Sequence, residues 1–567
     1  MASDVVVVGA GHNGLVAANY LADAGFSVTV LERRGVIGGA TVTEELIPGF
    51  RSSSCAYVVG LLHPQILREL RLADHGLELY QTAVADVNLL EDGRHLVLWN
   101  DLGATLRELE RANPGESERF VTIGLRLQRF AQLVEPWTLT PPPSVDDLRA
   151  RFERAGEARL FEEFFSLSVG DLLDRYLEHD LLKGLFSFLA LVSAWGGPRT
   201  PGWSFLYGHH SIGEFNGHMG QYGFPRGGMG AVSASLARRA RARGVTIRTE
   251  AEVRRVLVVD GRAVGVMTEA GEELPAQAVA SNADPRRTFL KLLEQGDLPD
   301  GFRSEIEGSD MRGSMARVHI ALDGLPDFVG VGSGPGPHCR GLTLLGAEID
   351  RFEAAWQAQR RAAIPDDFPI EFVIQSVHDD SLAPAGKHMM MTGIQQLPFE
   401  LEHGTWDDHR VAFTDRVLDV LARYAPRIRD YVIDTHTITP LDLEREYGLT
   451  GGNIFHGAMT PGQVFDRRPA PGWSDYRTPV GGLFLCGSGA HPGGGVMGVP
   501  GHNAARVIAA ELTGGEAEPR PSAGDEPIPR TPLADRLLAR PRSRRALVGL
   551  ARHPWLSPLV ERASRRG

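Results

Sequence analysis

Cysteine is nearly absent: the 567 residues hold three, Cys55, Cys339 and Cys486, far apart and in no CxxC or CxxxxC pair. That excludes a redox-active dithiol and a cysteine-built zinc site. So small and odd a number suits a reducing cytoplasm. Long apolar runs are missing too. The longest, LLKGLFSFLALVSAW over 181–195, is broken by Lys183 and Gly184 and falls short of the ~20 residues that cross a bilayer. No secretory leader is read at the start, where the first apolar run is four valines between Asp4 and Gly9. Nor does the body carry a basic stripe, and the net charge is −12 at pH 7, which excludes nucleic acid as an expected partner.

What is present is a long chain, enough for two or three domains with full cores, with an ordinary 43% hydrophobic and 23% charged composition. The charge is unevenly placed. From Arg530 onward ten arginines face only Asp535 and Glu561, a local +8, so the remainder carries −20. This Pro/Arg-rich tail, 514–567, predicts two short basic amphipathic helices broken by Pro541, Pro554 and Pro558. It suits either an anionic membrane surface or the acidic body of the same chain.

The N-terminal stretch VVVVGAGHNGL carries the clearest local signal. A strand of consecutive valines, buried on both faces, runs into Gly9, Gly11 and Gly14 and then a helix ending at Gly25. A second strand, SVTVLE, ends at Glu32. Glycines permit the tight turn, the approach of a pyrophosphate and close helix–strand packing. The acid 18 residues beyond Gly14 stands where an adenosine ribose is held. The order predicts a dinucleotide site. Gly38, Gly39 and Ala40 form a second small-residue cluster, as an extended FAD needs. Arg33 and Arg34 stand either beside that ligand or in solvent.

Two more segments share this pattern. GGLFLCGSGAHPGGGVMGVPGHNAARVIAAEL reads as a strand, a glycine-rich turn and a helix, whose N-terminus favours the negative charge of a reduced flavin's N1–C2 edge. FPRGGMGAV opens a helix over 231–241. The strands VTIRTEAEV, VRRVLVVDG and RAVGVMTEA follow, with Asp260-Gly261 as a hairpin turn, and AQAVASNADP ends at a small polar edge. The predicted class is α/β, a Rossmann-like domain with an inserted α+β domain.

On GAGHNGLVAA, ERRGVIGGA, FPRGGMGAV, SNADPRRTF, GLTGGNIFHG and GLFLCGSGAHPGGGVMGVPGHNAA, the chain resembles the phytoene desaturase/carotenoid isomerase branch of the FAD-dependent amine-oxidase-like superfamily. Within it the resemblance is to the phytoene dehydrogenase-related group, which includes the pyridine nucleotide-disulfide oxidoreductase domain-containing protein 2 sequences. It spans roughly residues 4–513. It implies a GR2-type FAD domain assembled from 1–70, 225–290 and 450–513, and a substrate domain from 71–224 and 291–449. It also implies FAD contacts at Gly9, Gly11, Asn13, Gly14, Glu32, Arg33, Gly38, Gly39, Ala40, Val253, Asn282, Gly487, Gly495, Val496 and Met497. The "disulfide" in that group's name has no dithiol behind it here.

In such a flavoprotein the side chains orient substrate and sometimes supply a base. His491, His502 and His456 are the candidates for that base, each equally readable as a structural histidine; Tyr222 and Glu214 are weaker ones. No metal is expected. The run YGHHSIGEFNGHMGQYG, with His209, His210 and His218, is read as a loop bordering the substrate channel, and 181–195 as a core helix or a tunnel wall. Three functions stay open: an FAD-dependent dehydrogenase of a lipophilic, isoprenoid or polyene substrate; a flavin-dependent cis–trans isomerase; and a non-catalytic lipid escort on the same fold. The intact cofactor glycines weigh against the third. Oxygen or a quinone is the expected electron acceptor. The expected location is the cytoplasm, or the inner face of a membrane if the tail binds lipid.

Overall fold

The computed structural model describes residues 3–332, 334–515, 538 and 540–552. One sheet grows around the strand Ser3–Val8, whose four valines are buried; β-branched side chains suit a strand covered on both faces. Its parallel neighbours are Val28–Leu31 on one side and Glu273–Ser281 on the other. Thr246–Arg248 extends the first side and Leu483–Leu485 the second, both parallel. Three stretches far apart in the chain therefore supply one sheet. The strand order reverses direction between Ser3–Val8 and Glu273–Ser281, and ligands of doubly wound sheets sit at such a switch.

The strand Glu273–Ser281 is long enough to serve twice. Its first residues pair antiparallel with Arg262–Thr268, which pairs in turn with Val253–Val259. The expected strand over 245–253 is shorter than its pattern. It stops at Arg248, and the chain turns at Glu250 (φ 53°). That turn is held by backbone bonds from Glu250 N to the Arg34 carbonyl (3.1 Å) and from Ala251 N to the Glu32 carbonyl (2.8 Å). A tertiary pairing overrides the local apolar alternation.

A second sheet runs in the order Val432–Ile438, Ser314–Leu322, His388–Leu397, Ile370–Val373, Leu342–Leu345, Val84–Leu89, His95–Trp99. Its pairings are antiparallel except Leu342–Leu345 with Val84–Leu89. Because side chains alternate across a strand, one face presents Val318, Ile320, Ile370, Phe372 and Ile394. These join Phe413, Val417 and Leu421 of the helix Trp406–Tyr424 in one core. The other face carries Arg317, His319, Glu371, Gly393 and Gln395, and it is buried as well.

Helices between 116 and 211 form a layer with a phenylalanine-rich core. Phe161 and Phe165 stack one turn apart with centroids at 4.2 Å, and Phe130 lies 4.4 Å from Phe164. The helix Asp180–Leu191, within the long apolar run, belongs to this core, with Leu182, Leu185, Phe188 and Leu191 buried. Among the described residues no helix is long and apolar enough to cross a membrane.

Part of the basic tail is a helix, Pro541–Ala551, with proline in the first turn where its missing N–H costs nothing. It lies on the helices Leu102–Ala112 and Glu116–Val134: Val548 and Ala551 join Leu106 in a small core. Arg544 and Arg545 pair with Glu118, and Arg552 with Glu110. For these residues, docking on the acidic body is what the structure shows. Pro554 and Pro558 lie outside the described residues. Exposed ion pairs are weak, so the buried Val548 is the main attachment. Val548→Asp is expected to speed tryptic cleavage within 540–552 by about tenfold or more, through local opening. An unchanged digestion rate contradicts this docking.

Candidate functional site

The strand Ser3–Val8 delivers the chain into a turn that only glycine fits. A Cβ at Gly14 would stand 2.3 Å from the Gly9 carbonyl oxygen, and one at Gly11 would stand 2.6 Å from Asn282 Nδ2. Asn282 follows the strand Glu273–Ser281 and donates its N–H to the Val8 carbonyl (2.9 Å). On its other side the backbone of Asn282 closes on Gly487, where an added Cβ would come within 2.6 Å. The switch point therefore gathers all three segments around one asparagine.

The second small-residue cluster is drawn to the same place. Gly38 N–H donates to the Ala10 carbonyl (2.9 Å), and a Cβ on Gly39 would touch the Gly11 Cα at 3.4 Å. The Ala40 carbonyl accepts from Ala56 N–H at 3.0 Å. Glu32, buried at the end of its strand, accepts from the Ala10 N–H at Oε2 (2.9 Å) and from the Arg34 N–H at Oε1 (3.0 Å). Asn13 Nδ2 reaches Ser488 Oγ (3.2 Å), leaving its buried Oδ1 unpartnered. Bare backbone, a fixed acid and an unsatisfied buried amide fit a dinucleotide's pyrophosphate and ribose.

Two predicted contacts sit differently. The Arg33 guanidinium is taken up by the carbonyls of Arg445 and Glu446. Val253 opens its strand beside the turn that leans on Glu32, rather than on the glycine turn itself.

At the C-terminal end, the chain from Gly487 to Met497 winds into the helix Val499–Thr513. Val496 holds φ 60°, a strained position for a β-branched residue that costs on the order of 1–3 kcal/mol. Surrounding bonds maintain it. His209 Nε2–H donates to the Gly494 carbonyl (2.9 Å), and His63 N–H to the Met497 carbonyl (3.1 Å). Beneath lies Arg468, fully buried. It donates to the carbonyls of Ser488 (2.8 and 3.0 Å), Ala458 (3.2 Å), Gln463 (3.3 Å) and Phe455 (2.5 Å). Burial pushes it down to about 9, still cationic at neutral pH. Nothing in FDRRP distinguishes Arg468 from its exposed neighbour Arg467; its role appears only in the folded loop.

The histidine candidates are held by neighbours. Nε2–H of His491 donates to the Trp137 carbonyl (3.1 Å), its Nδ1 has no partner, and burial pushes it down to about 4. His456, at φ 62°, is likewise lowered to about 4 by burial, against the pull of Asp284. His502 shares Nδ1 with Asn503 (2.7 Å) and packs edge-on against Tyr20. All three are neutral near pH 7. His209 and His210 belong to a helix, Ser204–Ser211, not to a loop, and His218 to the hairpin that follows. Tyr222 donates to the Ala85 carbonyl (2.6 Å), and Glu214 is exposed. Among the described residues no group of three or more ligands suits a metal.

A small apolar cavity under the turn is lined by Phe130, Phe205, Ile212 and Phe465, with His209 and His491 at its edge.

Fold and site together define a flavoprotein oxidoreductase. Residues 14–508 match the family described as flavin containing amine oxidoreductase. The chain is 37% identical over 551 residues to the pyridine nucleotide-disulfide oxidoreductase domain-containing protein 2 of Rattus norvegicus, covering 90% of this chain and 94% of that one. To the phytoene desaturase (lycopene-forming) of Pseudescherichia vulneris it is 28% identical, over 87% and 96%. The fold is that of cyclohexylamine oxidase from Brevibacterium oxydans, with a TM-score of 0.57 at 19% identity over 90% and 100%. The chain belongs to the flavin containing amine oxidoreductase family, and its cofactor is FAD.

Gly14→Ala is expected to yield folded protein lacking the flavin absorbance near ~450 nm; retention of a full flavin complement contradicts the cradle. Arg468→Met strands four buried carbonyls and is expected to cost about 3–5 kcal/mol in urea unfolding. A loss below ~1 kcal/mol rules out the anchoring role.

Proposed function

We propose that this enzyme dehydrogenates a lipophilic substrate, of isoprenoid or polyene type. The observation that carries the reading is the pairing of an aromatic-lined cavity with histidines that are neutral and tied to carbonyl groups. FAD, when bound, would supply the hydride acceptor. The residues of this chain then have three tasks. The turn at Gly495–Met497, just before the helix Val499–Thr513, brings backbone N–H groups and the positive end of a helix dipole to one place. Arg468 ties the start of the segment leading to that turn, at Ser488, to the carbonyls of the 455–463 loop. Phe130, Phe205, Ile212 and Phe465 line a cavity with room for about one water molecule, an apolar wall against which a lipophilic chain would pack once these side chains move apart.

The likeness to a lycopene-forming phytoene desaturase supports this substrate class. The three cysteines are buried and unpaired, which supports a reducing, cytoplasmic location. Oxygen or a quinone would serve as the electron acceptor. A flavin-assisted isomerase is the second reading, favoured by the same lack of a charged base.

Anaerobic mixing with a panel of isoprenoids and polyenes is expected to bleach the ~450 nm band for one class of substrate. Geometric isomers formed with the band intact favour the isomerase. His491→Gln is expected to keep the reduction rate within about threefold, since a true general base supplies about 10²–10⁴. A fall into that larger range makes His491 the base.

A further inference from the structure

On the inner face of the second sheet, three adjacent strands place Arg317, Gly393 and Glu371 side by side. Glu371 is in register with Gly393, and Arg317 comes from the strand on the far side of Gly393. The missing side chain is required: a Cβ at 393 would stand 2.5 Å from Arg317 Nη1 and 2.6 Å from Glu371 Oε2. Across this gap the two groups approach to 3.5 Å without a good hydrogen bond. Arg317 is 3% and Glu371 1% exposed, yet Arg317 Nε and Nη1 and both oxygens of Glu371 have no hydrogen-bond partner.

Buried charged groups are normally saturated with hydrogen bonds, and an unsaturated pair is costly. Four open positions in one place call for a polar ligand. The location says which. The Tyr57 ring lies 4.6 Å from the Arg317 guanidinium. The segment carrying Tyr57 is pinned at one end to the Ala40 carbonyl through Ala56 N–H and at the other to the Met497 carbonyl through His63 N–H. The pair thus faces a strap stretched between two of the cofactor-binding turns.

Burial raises Glu371 well above the carboxylate range and lowers Arg317 only to about 10. Burial disfavours charge on Glu371, so of the two groups the guanidinium is the one that keeps its charge, and its Nε and Nη1 are open donors. The other groups on this face do not neutralise it. His319 is neutral by burial, with Nδ1 on Ser52 (2.9 Å); Cys55 is a protonated thiol; Asp86, two strands from Glu371, is raised to about 7 by burial and accepts from Tyr222 (3.2 Å). A cationic amine would be repelled here, despite the family's name; a carboxylate would be held by charge-assisted hydrogen bonds.

We propose that Arg317 and Glu371 form the anion-recognition end of the substrate site, and that the substrate is a lipophilic carboxylic acid. This rests on the dehydrogenase reading above and names the polar end of its substrate. The carboxylate anchors on Arg317, and the apolar remainder of the molecule extends along the protein interior.

The probes are farnesoic acid, its methyl ester and farnesylamine, titrated into the FAD-loaded enzyme, with binding read from the perturbed flavin spectrum. The acid is expected to bind about tenfold to a hundredfold more tightly than the ester, and the amine more weakly than either. Arg317→Met is expected to erase the preference for the acid with flavin content unchanged, while Glu371→Gln, which keeps a neutral donor, retains it. Equal binding of acid and ester by the wild type, binding of neither, or a preference surviving Arg317→Met overturns the proposal. The wild-type comparison holds even if a variant misfolds. A preparation without flavin would instead overturn the cofactor reading, so the two failures are distinguishable.

Discussion

Everything in this molecule is arranged around the close approach of the Gly9–Gly14 turn to Asn282. The helix can start directly at the end of the first strand only because Gly14 packs against the Gly9 carbonyl. Asn282 reaches the turn only because Glu273–Ser281 is the parallel neighbour of Ser3–Val8. Gly487 then completes the contact from the third segment. A side chain at Gly11, Gly14 or Gly487 would press apart backbone that the paired strands bring together. The sheet thus serves as a frame holding distant backbone in van der Waals contact, where an extended ligand can be gripped mostly by main-chain groups.

The second theme is charge without solvent. Arg468 is buried among carbonyls with no carboxylate among its hydrogen-bond partners, and Arg317 sits beside a glutamate whose charge burial disfavours. Desolvation also holds the histidines near the turn neutral. At these positions guanidinium charge is retained while imidazolium charge is disfavoured. An environment of that sign suits chemistry in which negative charge appears on the cofactor side. It also suits an anionic end on an otherwise apolar substrate.

Much of the frame could be read from residue order because its signals are local. Strand, glycines, helix and acid all fall within Ser3–Glu32, and the small clusters at Gly38–Ala40 and Gly493–Gly495 mark places where backbone must pass close to something. The polar face of the second sheet was not legible in this way. Arg317, Glu371 and Tyr57 lie on three separate elements, and only the pairing of strands around Gly393 brings them together. Arg468 was hidden for the same reason. The strand ending at Arg248 reads longer in sequence than it is, because its stop is set by backbone bonds from Glu250 and Ala251 to Arg34 and Glu32, more than 200 residues earlier. The run over 207–223 reads as a loop from its glycines, yet its first residues, through Ser211, complete the helix Ser204–Ser211, and a hairpin and turns follow.

The central claim, that this frame supports net removal of hydride from a lipophilic substrate, is tested most directly by isotope. A substrate deuterated at the carbon that loses hydride should reduce the flavin more slowly than its protiated form under anaerobic single-turnover conditions, yielding one new double bond and one lost deuterium per flavin reduced. Product that retains all its deuterium while the flavin stays oxidised would contradict the account.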